Sequence, residues 1–141
     1  TEVQALVAPS TLASPRRTVV GLDSGRVSTI LAVLEARCGI PFAGLDVFLN
    51  VAGGMKVAEP AADLAIAGAL LSAREDNALP PEAVLFGEIS LSGALRARID
   101  SQSRRWGRGE ADILPGCPVI YTTRQVIARP RHVLNRNRVN F

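Results

Sequence analysis

The segment that follows Glu59 constrains this chain most, because a proline is followed there by a long run of very small residues. Pro60 is compatible with the first turn of a helix, where the amide hydrogen that proline lacks would have no partner. The chain then continues to Arg74 as Ala-Ala-Asp-Leu-Ala-Ile-Ala-Gly-Ala-Leu-Leu-Ser-Ala-Arg. We therefore predict a helix over residues 60–74 in which four apolar residues recur with helical spacing and face the core: Leu64, Ala67, Leu70 and Leu71. Its smallest residues would let another backbone approach closely: Ala61, Ala62, Ala65, Gly68 and Ala69.

Apolar segments elsewhere predict strands and one further helix. The helix is indicated by Val27, Ile30, Leu31 and Leu34 at positions i, i+3, i+4 and i+7, and Gly39 marks its end. Alternating segments of this kind favour an α+β fold with helices packed on a mixed sheet, and 141 residues suffice for one domain. The predicted strands cover residues 3–7, 16–22, 46–51, 83–91 and 119–123.

Composition argues against a membrane partner and against a disulfide framework. No stretch approaches the roughly 20 apolar residues that a membrane-spanning helix needs. Cys38 and Cys117 are far apart and in no metal-ligand spacing, so reduced thiols are expected rather than a disulfide. Because the chain opens at Thr1, without Met, on a strand-like segment, we expect it to be a fragment of a longer protein.

Charge is distributed unevenly along the chain. Residues 1–93 contain six basic and ten acidic residues, a net charge of −4, whereas residues 94–141 contain ten basic and three acidic residues, a net charge of +7. Such a division indicates a nucleic-acid surface at one end.

Residues that could carry catalysis are sparse. His132 is the single histidine and Lys56 the single lysine, and no serine is placed by the sequence beside that lysine. Glu59 and Asp63 lie four residues apart near a helix start, where interaction with the helix dipole explains them better than an acid–base pair. The Gly53-Gly54-Met-Lys56 segment lacks the pattern of a phosphate-binding loop, so no nucleotide is expected to bind in that manner. Because the chain has a single histidine, no metal site is expected either, and no cofactor is expected within this chain.

Two segments carry a family resemblance: Asp46-Val-Phe-Leu-Asn-Val-Ala-Gly-Gly-Met-Lys-Val-Ala-Glu-Pro-Ala-Ala-Asp-Leu-Ala65 and Phe86-Gly-Glu-Ile-Ser-Leu-Ser-Gly-Ala-Leu-Arg96. They resemble the Lon-protease-like C-terminal domain of the RadA (Sms) family of bacterial DNA-repair and recombination ATPases. The resemblance implies a Lon-protease-like (ribosomal protein S5 domain 2-like) fold. We expect one domain over residues 1–141, well matched over 1–96 and continuing over 97–141 as a basic, poorly matched tail. That tail reflects either divergence or a shifted reading frame.

The resemblance also implies that the chemistry of the fold has been lost. Lon peptidases have Gly-Pro-Ser-Ala-Gly where this chain has Glu59-Pro-Ala-Ala-Asp63, so the nucleophile position holds Ala61. The expected role is that of a non-proteolytic domain in a cytoplasmic bacterial ATPase, where it serves ring assembly and sequence-independent DNA binding while the motor of the longer protein drives branch migration. The longer protein would bind ATP, Mg and Zn and form a homo-oligomer, a hexameric ring.

Three basic positions match the family in type and are predicted to bind DNA: Arg26, Lys56 and Arg96. Phosphate contacts need only positive charge within reach and carry no base code, so binding should be independent of sequence. Each position could instead be a solvated charge or part of a salt bridge between subunits. The alternative functions are an oligomerisation module without DNA contact and an active peptidase with an unusual Ser–Lys dyad.

Overall fold

The computed structural model describes residues 1–79, 85–96 and 138–140. The predicted strand at 119–123, Cys117 and His132 lie outside these residues, as does nearly all of the basic tail. Short 3-10 turns occur at Ala52–Gly54 and Pro60–Ala62. The main elements, in chain order, are β1 (Glu2–Pro9), β2 (Arg17–Val20), α1 (Ser24–Cys38), β3 (Leu45–Val51), α2 (Asp63–Arg74), β4 (Glu88–Ile89), β5 (Leu95–Arg96) and β6 (Arg138–Asn140).

The predicted α+β class with a mixed sheet is confirmed. The larger sheet has the strand order β2-β3-β1-β6, in which β1 is antiparallel to both β3 and β6, and β2 is parallel to β3. β4 and β5 form a separate antiparallel hairpin. The three residues of β6 come from the segment predicted as a tail, yet they pair with Glu2–Gln4 at an edge of the sheet.

Helix α2 is buried on every side. Each residue from Ala61 to Ser72 is buried, so the predicted core-facing residues are confirmed and burial extends around the whole helix. Small side chains make this possible, because neighbouring elements can approach the helix backbone closely. Gly68 shows the tightest fit, since a Cβ built there would overlap Cδ1 of the fully buried Leu85.

Helix α1 begins and ends at residues that satisfy its free backbone groups. The Asp23 carboxylate accepts a hydrogen bond from the Arg26 amide at 2.7 Å and caps the N-terminus. Gly39 adopts a left-handed conformation with φ 66°, and the Ile40 amide donates to the Leu34 carbonyl at 3.2 Å. The predicted stop at Gly39 is thereby confirmed.

The predicted strand over 83–91 is shorter within the described residues, where only β4 is a strand. Just before it, the Gly87 amide donates to the Ala61 carbonyl at 2.8 Å, and the Gly87 carbonyl accepts from the Leu64 amide at 3.0 Å. The amide and the carbonyl of Gly87, which would have extended the strand, therefore bind residues around the start of α2 instead. These two bonds attach the hairpin to the helix.

Asp46 fastens the start of β2 to β3. Its carboxylate accepts a hydrogen bond from the Arg16 amide at 2.7 Å and pairs with the Arg16 guanidinium at 3.3 Å. Bonding to the Arg16 amide, with help from the Ser10 hydroxyl and the Arg16 charge, holds the pKa of Asp46 below its ordinary value even though burial acts in the opposite direction.

Candidate nucleic-acid interface

Three parts of the chain meet at the N-terminal end of α2, and they carry the three predicted DNA-binding residues. The turn before α1 contacts the loop after β3 through a bond from the Val57 amide to the Gly21 carbonyl at 2.8 Å. The β4–β5 hairpin joins the same region through Gly87. We call this region, residues Glu59 to Asp63 with the segments that contact them, the α2 junction.

The first of these contacts depends on glycine. Gly21 has φ 79°, and a Cβ built on it would lie 2.5 Å from the Met55 carbonyl oxygen and 2.8 Å from Cβ of Val51. The absence of a side chain thus lets the two loops touch. Between them lies an open groove of about 300 Å³, lined by Gly21, Leu22, Asp23, Lys56, Val57 and Ala58.

Lys56 lies on the rim of this groove with its side chain exposed to solvent. Among the basic side chains that the structure describes, it alone has no hydrogen bond or ion pair. The arginines use their guanidinium groups within the molecule. Arg16, Arg26 and Arg74 form ion pairs, and Arg17 and Arg37 donate to backbone carbonyls.

Arg26 projects from the first turn of α1 to the first residue of α2. Its Nε and Nη2 both donate to the Asp63 carboxylate, the second at 2.7 Å, and Nη2 also reaches the Pro60 carbonyl at 3.4 Å. The Asp63 side chain is only 2% exposed, whereas that of Arg26 is 32% exposed. The pair is bidentate, a geometry that a carboxylate and a guanidinium form well.

The surroundings of Arg26 are acidic. Hydrogen bonding to Asp63 raises the pKa of Arg26 above its ordinary value, burial opposes the increase, and the charges of Asp63, Glu88 and Asp23 add to it. Three carboxylates therefore act on one guanidinium. This environment favours a structural use of Arg26 over contact with a phosphate.

Arg96 lies in β5, where its backbone is opposite Glu88 of β4. The structure therefore brings the chain segments that carry all three predicted residues to the α2 junction. It differentiates the two side chains that it describes: Lys56 is exposed and has no partner among the described residues, whereas Arg26 is bound to Asp63. Contact of any of the three with DNA stays a prediction.

Asp63 is the site residue whose role the sequence reasoning missed. The sequence predicts only an interaction of Asp63 with the helix dipole, but its carboxylate binds Arg26 and also accepts a hydrogen bond from the Ile89 amide at 2.9 Å. A signal for this was present, because Asp63 interrupts an otherwise small and apolar helix. A buried carboxylate requires partners, so a buried run of this kind predicts a cation nearby.

Ala61, which the resemblance aligns with the nucleophile of Lon peptidases, is completely buried. Its carbonyl accepts a hydrogen bond from the Gly87 amide, and its own amide donates to the Glu59 carboxylate at 3.4 Å. Within the described residues, no helix is long and apolar enough to cross a membrane, and no group of three or more His, Cys, Asp or Glu residues is placed to hold a metal ion.

The fold and site together define an α+β domain whose buried helix begins at an internal ion pair, beside a loop with an exposed lysine. No family model matches the chain. Curated relatives do: it is 64% identical over 96 residues to DNA repair protein RadA of Brucella abortus (strain 2308), a match covering 68% of this chain and 21% of that protein. It is 50% identical over 103 residues to DNA repair protein RadA of Rickettsia conorii and to that of Pseudomonas aeruginosa, each match covering 73% of this chain and 23% of the relative.

The chain is therefore homologous to RadA over about two-thirds of its own length. It spans about a fifth of the length of the curated relatives it matches.

Proposed function

We propose that this chain is a non-proteolytic, Lon-like domain of a RadA-type DNA-repair and recombination ATPase of the bacterial cytoplasm. In this role it supports ring assembly and binds DNA independently of sequence during branch migration. The names of the relatives support the repair role, and the resemblance at residues 46–65 and 86–96 supports the Lon-like fold. ATP, Mg and Zn would be bound by other parts of the longer protein.

The burial of Ala61 supports the non-proteolytic part of the proposal. Peptidase chemistry of this type needs a hydroxyl at the helix start and a base that deprotonates it. Alanine supplies no hydroxyl, and its side chain faces the interior. The only lysine of the chain, Lys56, lies in the exposed loop.

The observation that carries the DNA-binding part is the exposed, unpaired state of Lys56. A lysine engaged in an ion pair would lose that partner on binding phosphate, but Lys56 has none to lose among the described residues. A hydrogen bond from the Val57 amide to the Gly21 carbonyl holds the loop next to Lys56, so the backbone that carries this charge has a defined position. We propose Lys56 and Arg96 as phosphate contacts on this side of the domain.

Binding can be tested with fluorescently labelled duplexes of two unrelated sequences, titrated with the 141-residue chain at two salt concentrations. Phosphate contacts predict similar affinities for both sequences and weaker binding at the higher salt concentration. A strong preference for one sequence would contradict the proposal, and so would an affinity that does not change with salt.

A second candidate function, oligomerisation without DNA contact, is favoured by the outer face of the larger sheet. Leu6 and Val20 are 55% and 50% exposed there, on the face opposite to the buried Val3, Ala5 and Leu49. Exposed apolar residues on a sheet suit burial against another protein surface. Sedimentation of the Leu6→Ser variant beside the unaltered chain tests this candidate, which predicts loss of an assembled species; the same assembly in both would argue against this face.

A further inference from the structure

Arg26 and Asp63 form a unit that joins three elements. Arg26 belongs to α1 and Asp63 to α2, while the Ile89 amide that also donates to Asp63 belongs to β4. One carboxylate therefore accepts bonds from two other segments that are far apart in sequence. Because its side chain is 2% exposed, water cannot readily replace those partners.

The hairpin has a second attachment, to the other helix, α1. Nε of Arg37, near the end of α1, donates to the Leu91 carbonyl at 3.4 Å, and a Cβ built at Gly93 would lie 3.2 Å from Cβ of Arg37. The hairpin is therefore held at β4 by Asp63 of α2 and at its turn by Arg37 of α1. Arg96 lies in its second strand, opposite Glu88.

We propose that Arg26 and Asp63 are positioning residues of the DNA-binding surface: the pair, through the buried Asp63 carboxylate, fixes the hairpin that carries Arg96 at the α2 junction, and Arg26 itself makes no phosphate contact. The statement about phosphate contact rests on the proposed DNA-binding function, whereas the positioning of the hairpin does not. The pairing geometry decides the role, since the guanidinium is bound on one edge by a carboxylate that would repel a phosphate.

Arg26 could be a phosphate ligand or a positioning residue, and the two roles predict different DNA binding when both Arg26 and Asp63 are replaced by neutral residues. A phosphate ligand would be lost in the Arg26→Gln/Asp63→Asn double variant, which would flatten the slope of log affinity against log salt by about 0.9. A positioning residue leaves that slope unchanged, because the amide pair can keep the hydrogen bonds and no phosphate contact is removed. The Arg26→Gln single variant leaves a buried carboxylate without its cation, so it should be less stable than the double variant.

The positioning of the hairpin by Asp63 can be tested without DNA, by measuring amide hydrogen exchange across the full chain. Asp63→Ala removes the acceptor of the Ile89 amide, so exchange at Ile89 should accelerate at least about tenfold, as the loss of a charge-assisted hydrogen bond implies. Exchange in β3 should stay near that of the unaltered chain. The Arg26→Gln/Asp63→Asn variant, which retains an acceptor at residue 63, should show a smaller increase and also serves if Asp63→Ala does not fold.

Each outcome bears on one claim. Unchanged exchange at Ile89 in Asp63→Ala would overturn the positioning role, and a slope flattened by about 0.9 in the double variant would make Arg26 a phosphate ligand. The Lys56→Gln variant is measured in parallel. If it and the double variant both leave DNA binding unaltered while Ile89 exchanges faster in Asp63→Ala, the pair positions the hairpin but the proposed DNA-binding surface fails.

Discussion

Replacing Gly68 adds atoms where α2 packs against the segment that follows residue 84. A Cβ there would overlap Cδ1 of Leu85 and lie 3.3 Å from Cδ1 of Leu79. Leu85 is fully buried, so it cannot turn away without disturbing other packed groups. Overpacking costs about 1–3 kcal/mol, while replacing glycine by alanine within a helix gains about 1 kcal/mol, so Gly68→Ala should lose up to about 2 kcal/mol. Gly68→Val adds two further methyl groups to the same space and should lose more.

Thermal unfolding followed by circular dichroism measures this loss. For a chain of this size, about 2 kcal/mol corresponds to a fall of roughly 4–8 °C in the melting temperature. Shortening the neighbour in a Gly68→Ala/Leu85→Val double variant should recover part of the loss, because it returns space to the same contact.

A matched pair of substitutions separates crowding from helix propensity. Ala65→Leu adds bulk to a completely buried position of α2, whereas Ala32→Leu adds the same atoms to an exposed position of α1. Since alanine and leucine have similar helix propensities, only Ala65→Leu should lower the melting temperature appreciably. Unchanged melting curves for both Gly68→Val and Ala65→Leu would refute the close packing of α2.

Three further substitutions test other contacts. Gly21→Ala should lower the melting temperature, because alanine is strained at φ 79° and its Cβ would collide with the Met55 carbonyl; a melting temperature equal to that of the unaltered chain would contradict the close approach of the two loops. Ala61→Ser should show no cleavage of casein above a buffer control, because a hydroxyl without its base is a weak nucleophile, and measurable cleavage would reopen the peptidase alternative. Since contacts in the folded state lower the pKa of Asp46, its carboxylate stabilises the fold fully above the ordinary pKa of about 3.9, and this contribution is lost as the pH falls through the lower folded-state pKa. Asp46→Asn should therefore melt below the unaltered chain at pH 7, with a difference that shrinks below about pH 4; melts across this range that differ by a constant amount would contradict the assignment.

Features of the fold that depend on neighbouring residues could be predicted from the sequence. The apolar spacing from Val27 to Leu34 and the glycine at 39 lie within one element, and they indicated α1 and its end. The proline and the small residues of α2 indicated a close-packed helix for the same reason. These signals act over a few residues, where periodicity and caps determine the backbone.

Features that depend on distant residues could not be predicted in this way. The pairing of Arg26 with Asp63 spans 37 positions and exists because α1 and α2 pack together. Within the described residues, the strand predicted over 83–91 is short because Gly87 binds Ala61 and Leu64 around the start of α2, a contact that no local pattern encodes. The resemblance matched Arg26 in residue type but carried no information on whether its charge was already used.

The central claim, that the exposed lysine of this domain contacts DNA phosphate, is tested most directly by the salt dependence of duplex binding for Lys56→Gln and Lys56→Arg. Both variants should melt like the unaltered chain, because an exposed charge without a partner contributes little to stability. Lys56→Gln should flatten the slope of log affinity against log salt by about 0.9, whereas Lys56→Arg, which keeps the charge, should leave it unchanged. An unaltered slope in Lys56→Gln would contradict the claim, and absence of duplex binding by the chain would favour the oligomerisation function instead.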